Sequence, residues 1–214
     1  MSDLLPIFPL PTTVLFPNVF LPLHIFEPRY RAMVSDALHT DRLIGMVLLK
    51  PGWERDYEGR PPVYPIGCSG VITHAERLGD GRYNLVLRGL ERFRVVEEDH
   101  ARLYRRAKIE PLIERCVTAD DQAALRVKRS KLEALIAPAI DKGRAAGKPR
   151  DLGISAMNDE DFVNALAQYL DIAPLEKQAL LEHDSLRSRA DALVELMEMK
   201  ILMARTPGLS DVAH

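Results

Sequence analysis

Prolines and large apolar residues alternate through residues 4–33, LLPIFPLPTTVLFPNVFLPLHIFEPRYRAM, more densely than in an ordinary core segment. Pro6, Pro9, Pro11, Pro17, Pro22 and Pro28 each fix φ and remove a backbone donor, so no helix runs through this arm. The pattern predicts short strands broken at prolines, lying on sheet edges or crossing between sheets. Leu5, Ile7, Leu10, Val14, Phe16, Phe20, Leu21, Leu23, Ile25 and Phe26 supply their buried face. From Pro28 the period changes. Tyr30, Met33, Val34, Ala37 and Leu38 recur at helical spacing, which predicts a helix over 28–39 with Pro28 in its first turn.

Farther along, 43–49 reads as a buried strand, 51–62 as a polar, turn-rich loop carrying Trp53, and 63–78 as a long or bent strand with bulges expected at Gly67 and Gly70. Gly79-Asp80-Gly81 is a hairpin signal. It leads into 83–87, where Tyr83, Leu85 and Leu87 alternate with Asn84, Val86 and Arg88. Gly89 is expected to break the run before Phe93, Val95 and Val96 resume it, and 104–113 gives one more strand. Many short strands separated by turns suggest a small closed or pseudo-closed barrel.

Past Cys116 the period becomes helical. Residues 119–140 form one amphipathic helix, which Pro138 should bend or end, and 143–153 read as a flexible basic connector. Asn158 is placed to cap a helix whose first turn is acidic and whose buried stripe is Phe162, Leu166, Tyr169 and Leu170. A short helix from Pro174 and a final one over 184–204 follow, then a frayed tail over 206–214. The fold class is α+β: a β-rich domain over 1–115 and a helical domain over 116–205.

The ordered segments FPL, LFP and LPLHIFEPRYRAM, continued by LIGMVLL, IGCSGV and RYNLVLRGLERFRV, resemble the amino-terminal domain of the Lon ATP-dependent proteases. The likeness runs in order from residue 4 to about residue 110, with a looser helical echo to about residue 203. Several separate motifs in one order are specific where each alone is weak. The resemblance implies a PUA-like β-barrel followed by a helical bundle, and a part in substrate recognition. It also implies no enzyme, because the AAA+ motor and the Ser–Lys peptidase of Lon lie in other domains.

Composition narrows the classes. At 214 residues, 47% hydrophobic and 28% charged, the chain is an ordinary soluble protein long enough to bury a core without staples. No apolar run approaches the roughly 18–20 residues of a membrane span. The start MSDLLPIF lacks a basic n-region, so a cytoplasmic location is expected. Cys68 and Cys116 fit no C-x-x-C or zinc spacing and read as reduced, buried thiols. A net charge of −2 argues against a protein that wraps nucleic acid. The basic clusters Arg102, Arg105, Arg106 and Arg126, Lys128, Arg129, Lys131 read as solvated faces.

The motifs that could carry catalysis fall short. The run from Gly143 to Pro149 has three residues between its glycines and a proline after its lysine, so it is no phosphate-binding loop. Ser69, in Gly67-Cys68-Ser69-Gly70, sits in a strand pattern rather than on a nucleophile elbow. The six histidines show no ligand spacing. His24 reads as a satisfied core or turn residue, and Glu27 with a nearby arginine as an ion pair fixing the strand-to-helix entry. No catalytic, cofactor or metal site is expected.

The apolar surplus of the arm is the feature that bears on function. If part of it is exposed, it favours reversible binding of unfolded or extended polypeptide by apolar contact, with edge strands adding backbone pairing. The candidate peptide-contact residues are Trp53, Phe16, Phe20, Arg88 and Arg92. A separate protease or chaperone is a further expected partner; no membrane is, and nucleic acid is disfavoured. Two other classes stay open: RNA or modified-nucleobase binding through the barrel, and a small independent hydrolase built on Cys68, Ser69 or His24.

Overall fold

The apolar strands and the helix predicted for the arm are present in the computed structural model, which describes residues 4–114, 118–145 and 156–205. Strands β1 (Leu5–Leu10) and β2 (Phe20–Ile25) precede helix α1 (Pro28–Leu38). Strands β3 (Leu43–Leu48), β4 (Ile66–Arg77), β5 (Tyr83–Asp99) and β6 (Arg106–Pro111) follow, with a 3-10 turn at Trp53–Asp56. Then come helices α2 (Ala119–Ala145), α3 (Asp159–Tyr169), α4 (Pro174–Glu182) and α5 (Leu186–Arg205). Cys116, most of the expected connector and the expected tail lie outside the described residues.

The six strands form one sheet in the order β2-β5-β4-β3-β1-β6, and the far half of β5 pairs again with β6. The pairing therefore returns on itself while β2 hangs outside the ring, so the expected closed barrel is corrected to a mixed α+β sheet that is not a clean barrel. The cause is the length of β5, 17 residues instead of the short run ending before Gly89. Its first half holds β2 and its second half holds β6. Gly89 does not break it. A Cβ there would run into the Phe16 carbonyl, so glycine is what lets the loop before β2 cross the strand. The Gly89 N–H donates to Val19 O at 2.9 Å, and Asn18 N donates to Gly89 O at 3.0 Å.

The prolines of β1 are reconciled with an interior strand by division of labour. Leu5 and Pro6 pair with β6, whereas Ile7 to Leu10 pair in parallel with β3. Each half of β1 thus needs only one flank, which tolerates residues without a donor. Leu5 and Ile7 pack with Val47, Phe93 and Ala107 in the core.

The chain clusters into two compact units, 1–113 with 164–182, and 114–163 with 183–214. This departs from the contiguous division at 115/116, because the end of α3 and all of α4 group with the sheet. Gln168 Oε1 accepts from Phe16 N at 3.2 Å, and Gln178 Nε2 donates to Ile66 O at 2.9 Å. In the second unit α2 packs on α5 through Leu125, Leu132 and Ile136 against Ala190, Leu193, Val194 and Met197. Helix α2 continues through Pro138, which removes one ladder hydrogen bond without ending the helix. Asn158 caps α3 as expected, its Oδ1 accepting from Asp161 N at 2.8 Å. Among the described residues no helix is long and apolar enough to cross a membrane.

Candidate functional site

Strand β2 alternates. Phe20, Pro22 and His24 face outward, and Ile25 closes the inner side. Antiparallel register sets Phe20 opposite Arg88, Pro22 opposite Val86 and His24 opposite Asn84 on β5, and β4 adds His74 opposite Val86. The outer face of β2, β5 and β4 is therefore a shallow floor of mixed apolar and polar groups. A recess of about 340 Å³ lies over Pro22, Leu23, His24, His74, Asn84 and Val86. Phe20 is 50% exposed and Phe26, just past the strand, 59%. Phe26 stacks on His24 with ring centroids 6.3 Å apart, and the Tyr169 hydroxyl donates to Phe20 O at 2.8 Å.

Backbone phase decides how the edge behaves. Val19 O is spent on Gly89 N, so by alternation the backbone groups of Phe20, Pro22 and His24 turn to the open side of β2. Tyr169 occupies the Phe20 carbonyl and Pro22 has no N–H. An added strand would find a donor missing at the centre of this edge.

At the hairpin end the floor is polar. His24 Nδ1 lies 2.7 Å from Asn84 Oδ1, and His24 Nε2 lies 3.4 Å from Arg82 Nη1. Arg82 is held by Asp80 at 2.6 Å, and the backbone N–H of Arg82 together with its guanidinium keeps the Asp80 carboxyl below its ordinary range. His24 is thus an exposed, hydrogen-bonded residue of the outer face rather than a core histidine.

The five candidate contact residues separate. Phe20 and Arg88 are cross-strand neighbours on this face. Phe16 is 0% exposed and fills the core, while Arg92 is 3% exposed with Nη1 donating to Leu181 O at 3.1 Å, so both serve the interior rather than a surface. Arg92 was misjudged because β5 shifts register opposite Cys68 and Gly70, which turns the side chain inward. Trp53 stands apart on the 3-10 turn, edge-on to Tyr57 at 5.4 Å. Tyr57 in turn donates to Glu27 at 2.5 Å, and Glu27 pairs with Arg29 at 3.0 Å, the ion pair expected at the entry to α1. Tyr169, exposed beside Phe20 on this face, is a residue the sequence reading did not place here. Its place in a predicted buried stripe concealed it, and only a hydrogen bond across 149 residues reveals it.

The alternatives find little chemistry. Cys68 and Ser69 are buried within β4, Sγ and Oγ engaged with the carbonyls of Ser69 and Glu91, and His24 is on another strand. Among the described residues no group of three His, Cys, Asp or Glu side chains is placed to hold a metal. All but Arg126 in the basic clusters meet an acid: Arg102 meets Asp36, Arg105 Glu98, Arg106 Asp99, Lys128 Asp191, Arg129 Glu133 and Asp159, and Lys131 Glu198.

The model of the ATP-dependent protease La (LON) substrate-binding domain matches residues 4–199. The chain belongs to the Lon substrate-binding domain family. A Lon protease of Anaeromyxobacter dehalogenans is 30% identical over 92% of this chain, which corresponds to 23% of that protein. Lon protease 2 of Myxococcus xanthus is 30% identical over 94% of the chain and 24% of its own length. This Lon-type chain therefore spans about a quarter of the relatives it matches. The amino-terminal domain of a Mycobacterium avium complex Lon protease shares the fold at a TM-score of 0.68 and 18% identity, over 91% of this chain and 98% of that one. A Lon N-terminal domain protein from Xanthomonas campestris does so at 0.58 and 22%, over 90% and 97%. The matched region is the substrate-binding domain of Lon, and the outer face of β2, β5 and β4 lies within it.

Proposed function

We propose that this Lon-type chain is a non-catalytic recognition or adaptor module of the cytoplasm that binds unfolded or extended polypeptide on the outer face of β2, β5 and β4. In this reading the ring of strands is a PUA-like barrel and the α2/α5 unit a helical bundle. The observation that carries it is the pair of half-open aromatics, Phe20 on β2 and Phe26 just past its end, beside a strand whose outer residues meet solvent. Covering the open part of such a ring, on the order of 100 Å², contributes about 2–3 kcal/mol without demanding a sequence. Side-chain contact dominates over strand addition, because Pro22 interrupts the edge. The ion-paired basic clusters favour polypeptide over RNA.

The test is fluorescence anisotropy with a labelled, apolar, unstructured peptide against the wild type and Phe20→Ala. The expected result is binding that changes little with salt and weakens about tenfold, or 1.4 kcal/mol, in the variant. Binding that collapses with salt and prefers RNA overturns the reading.

A further inference from the structure

A second recess, of about 290 Å³, opens between α1 and the β4–β5 hairpin, and Arg31, Ser35, Arg77, Gly81 and Tyr83 line it. Two guanidiniums face it and no carboxylate does. The guanidiniums of Arg31 and Arg77 have no ion-pair or hydrogen-bond partner among the described residues. This sets them apart from Arg29, Arg82, Arg102, Arg105 and Arg106, each of which meets an acid. Of the acids near the recess, Glu76 of β4 has no side-chain partner among the described residues but does not line it, and three others are committed. Asp80 is held by Arg82, Glu27 by Arg29 and Tyr57, and Asp36 by Tyr104 and Arg102.

The turn is shaped around one of these cations. Gly81 has φ +80°, and a Cβ there would run into Arg31 Nη2, so the glycine lets the guanidinium lie against the hairpin. The turn backbone is not an anion nest, because Gly81 N donates to Leu78 O at 2.9 Å and Arg82 N to Asp80 Oδ1 at 3.0 Å. What the recess offers is two planar forks of N–H donors and the hydroxyls of Ser35 and Tyr83. Guanidinium forks hold carboxylate and phosphate alike, but a phosphate is usually held by backbone amides as well, and the turn has none to offer, which favours a carboxylate.

We propose that the Arg31–Arg77 recess is a carboxylate subsite, which takes an acidic side chain or the free C-terminus of a bound polypeptide. The polypeptide part rests on the function proposed above; the carboxylate part does not. The recess then gives an otherwise sequence-tolerant surface a preference for acid-bearing segments.

The experiment uses the whole chain and one apolar peptide in three forms: C-terminal acid, C-terminal amide, and amide with a single internal Glu. Anisotropy is measured on the wild type, Arg77→Gln, Gly81→Ala and Phe20→Ala. The expected result is tighter binding of at least one acid-bearing form than of the plain amide by about fivefold, a carboxylate–guanidinium contact in partial solvent. Which form gains identifies the source. Arg77→Gln and Gly81→Ala should erase the gain and leave the plain amide unchanged, whereas Phe20→Ala should weaken all three. Equal binding of the three forms by the wild type overturns the subsite while leaving the parent reading intact. If no form binds, the parent reading fails, and titration with sodium acetate, read on the arginine Nε–H resonances, decides the subsite alone. Shifts at Arg31 and Arg77 that sodium chloride does not produce support it, and their absence, or stronger shifts with inorganic phosphate, overturns it.

Discussion

Strands β1 and β2 come from one proline-rich arm and look alike as sequence, LPIFPL and FLPLHI, yet one is sealed and the other is open. The difference lies in their partners. Strand β1 has β6 beside its first residues and β3 beside its last, so its apolar side chains are enclosed. Strand β2 has β5 alone, and its outward residues Phe20, Pro22 and His24 meet solvent. Pro6 and Pro9 sit where a flank is not needed, while Pro22 denies a flank to any newcomer. Apolar sequence of one character is therefore core or contact surface according to how many neighbours the topology supplies.

The strongest way to break this contrast is to empty the sealed side. Phe16 joins the two strands, is fully buried, and donates its backbone N–H to Gln168 Oε1. Phe16→Ala should lower stability by about 3–5 kcal/mol through lost burial and the cavity left behind, as read by urea unfolding. A loss below about 1 kcal/mol would show that this segment is not the hinge of the core.

Much of the contrast was legible in the sequence, but its assignment was not. Proline spacing and alternation gave both strands, α1, the Gly79–Gly81 hairpin and the Asn158 cap, since each depends on local chemistry. Which apolar residue is open depends on strand order, and a pairing between residues as distant as Pro22 and Val86 leaves no periodic mark. Arg92 shows the same limit. Plain alternation from Arg88 puts Arg92 on the outer face, and a register shift opposite Cys68 and Gly70 turns it inward. Gly89 was taken as a stop because glycine disfavours strands, whereas the close passage of Phe16, 73 residues earlier, is what requires it.

That passage supplies the next effect in size. Gly89→Ala puts a methyl group against the Phe16 carbonyl and should cost about 1–3 kcal/mol, because backbone on both sides has to shift. The sharper outcome is positional: hydrogen exchange at Asn18 and Gly89, whose N–H groups bond across the crossing, should accelerate more than exchange in β3. Uniform acceleration would mean that the crossing is not a local joint.

A smaller effect tests the flank of the sealed side through pH. Burial, with a hydrogen bond to Asp36 and the charge of that carboxylate, pushes the Tyr104 phenol up to about 12. The folded state holds the proton more tightly than the unfolded chain, where tyrosine titrates near about 10. The stability contributed by this group is thus fully present below about pH 10 and is lost as pH rises through about 12. Burial raises Tyr30, Tyr57 and Tyr169 as well, so the wild type alone is not diagnostic. Tyr104→Phe should flatten the decline between pH 10 and 12, and an unchanged slope would remove Tyr104 from the account.

The smallest effect on stability should come from the open strand, and its smallness is the point. Phe20 projects from a face that nothing covers among the described residues, and its anchoring bond, Tyr169 to the Phe20 carbonyl, uses backbone that a side-chain substitution leaves in place. Half of the ring is covered in the fold, so Phe20→Ala should change unfolding free energy by about 1 kcal/mol, well below the loss for Phe16→Ala. The same substitution is expected to weaken peptide binding about tenfold, since the ring is the large apolar group that association removes from water. A surface that loses binding while losing little stability is a contact surface. If urea unfolding instead shows a loss comparable to that of Phe16→Ala, Phe20 is core in solution, and β2 no longer differs from β1.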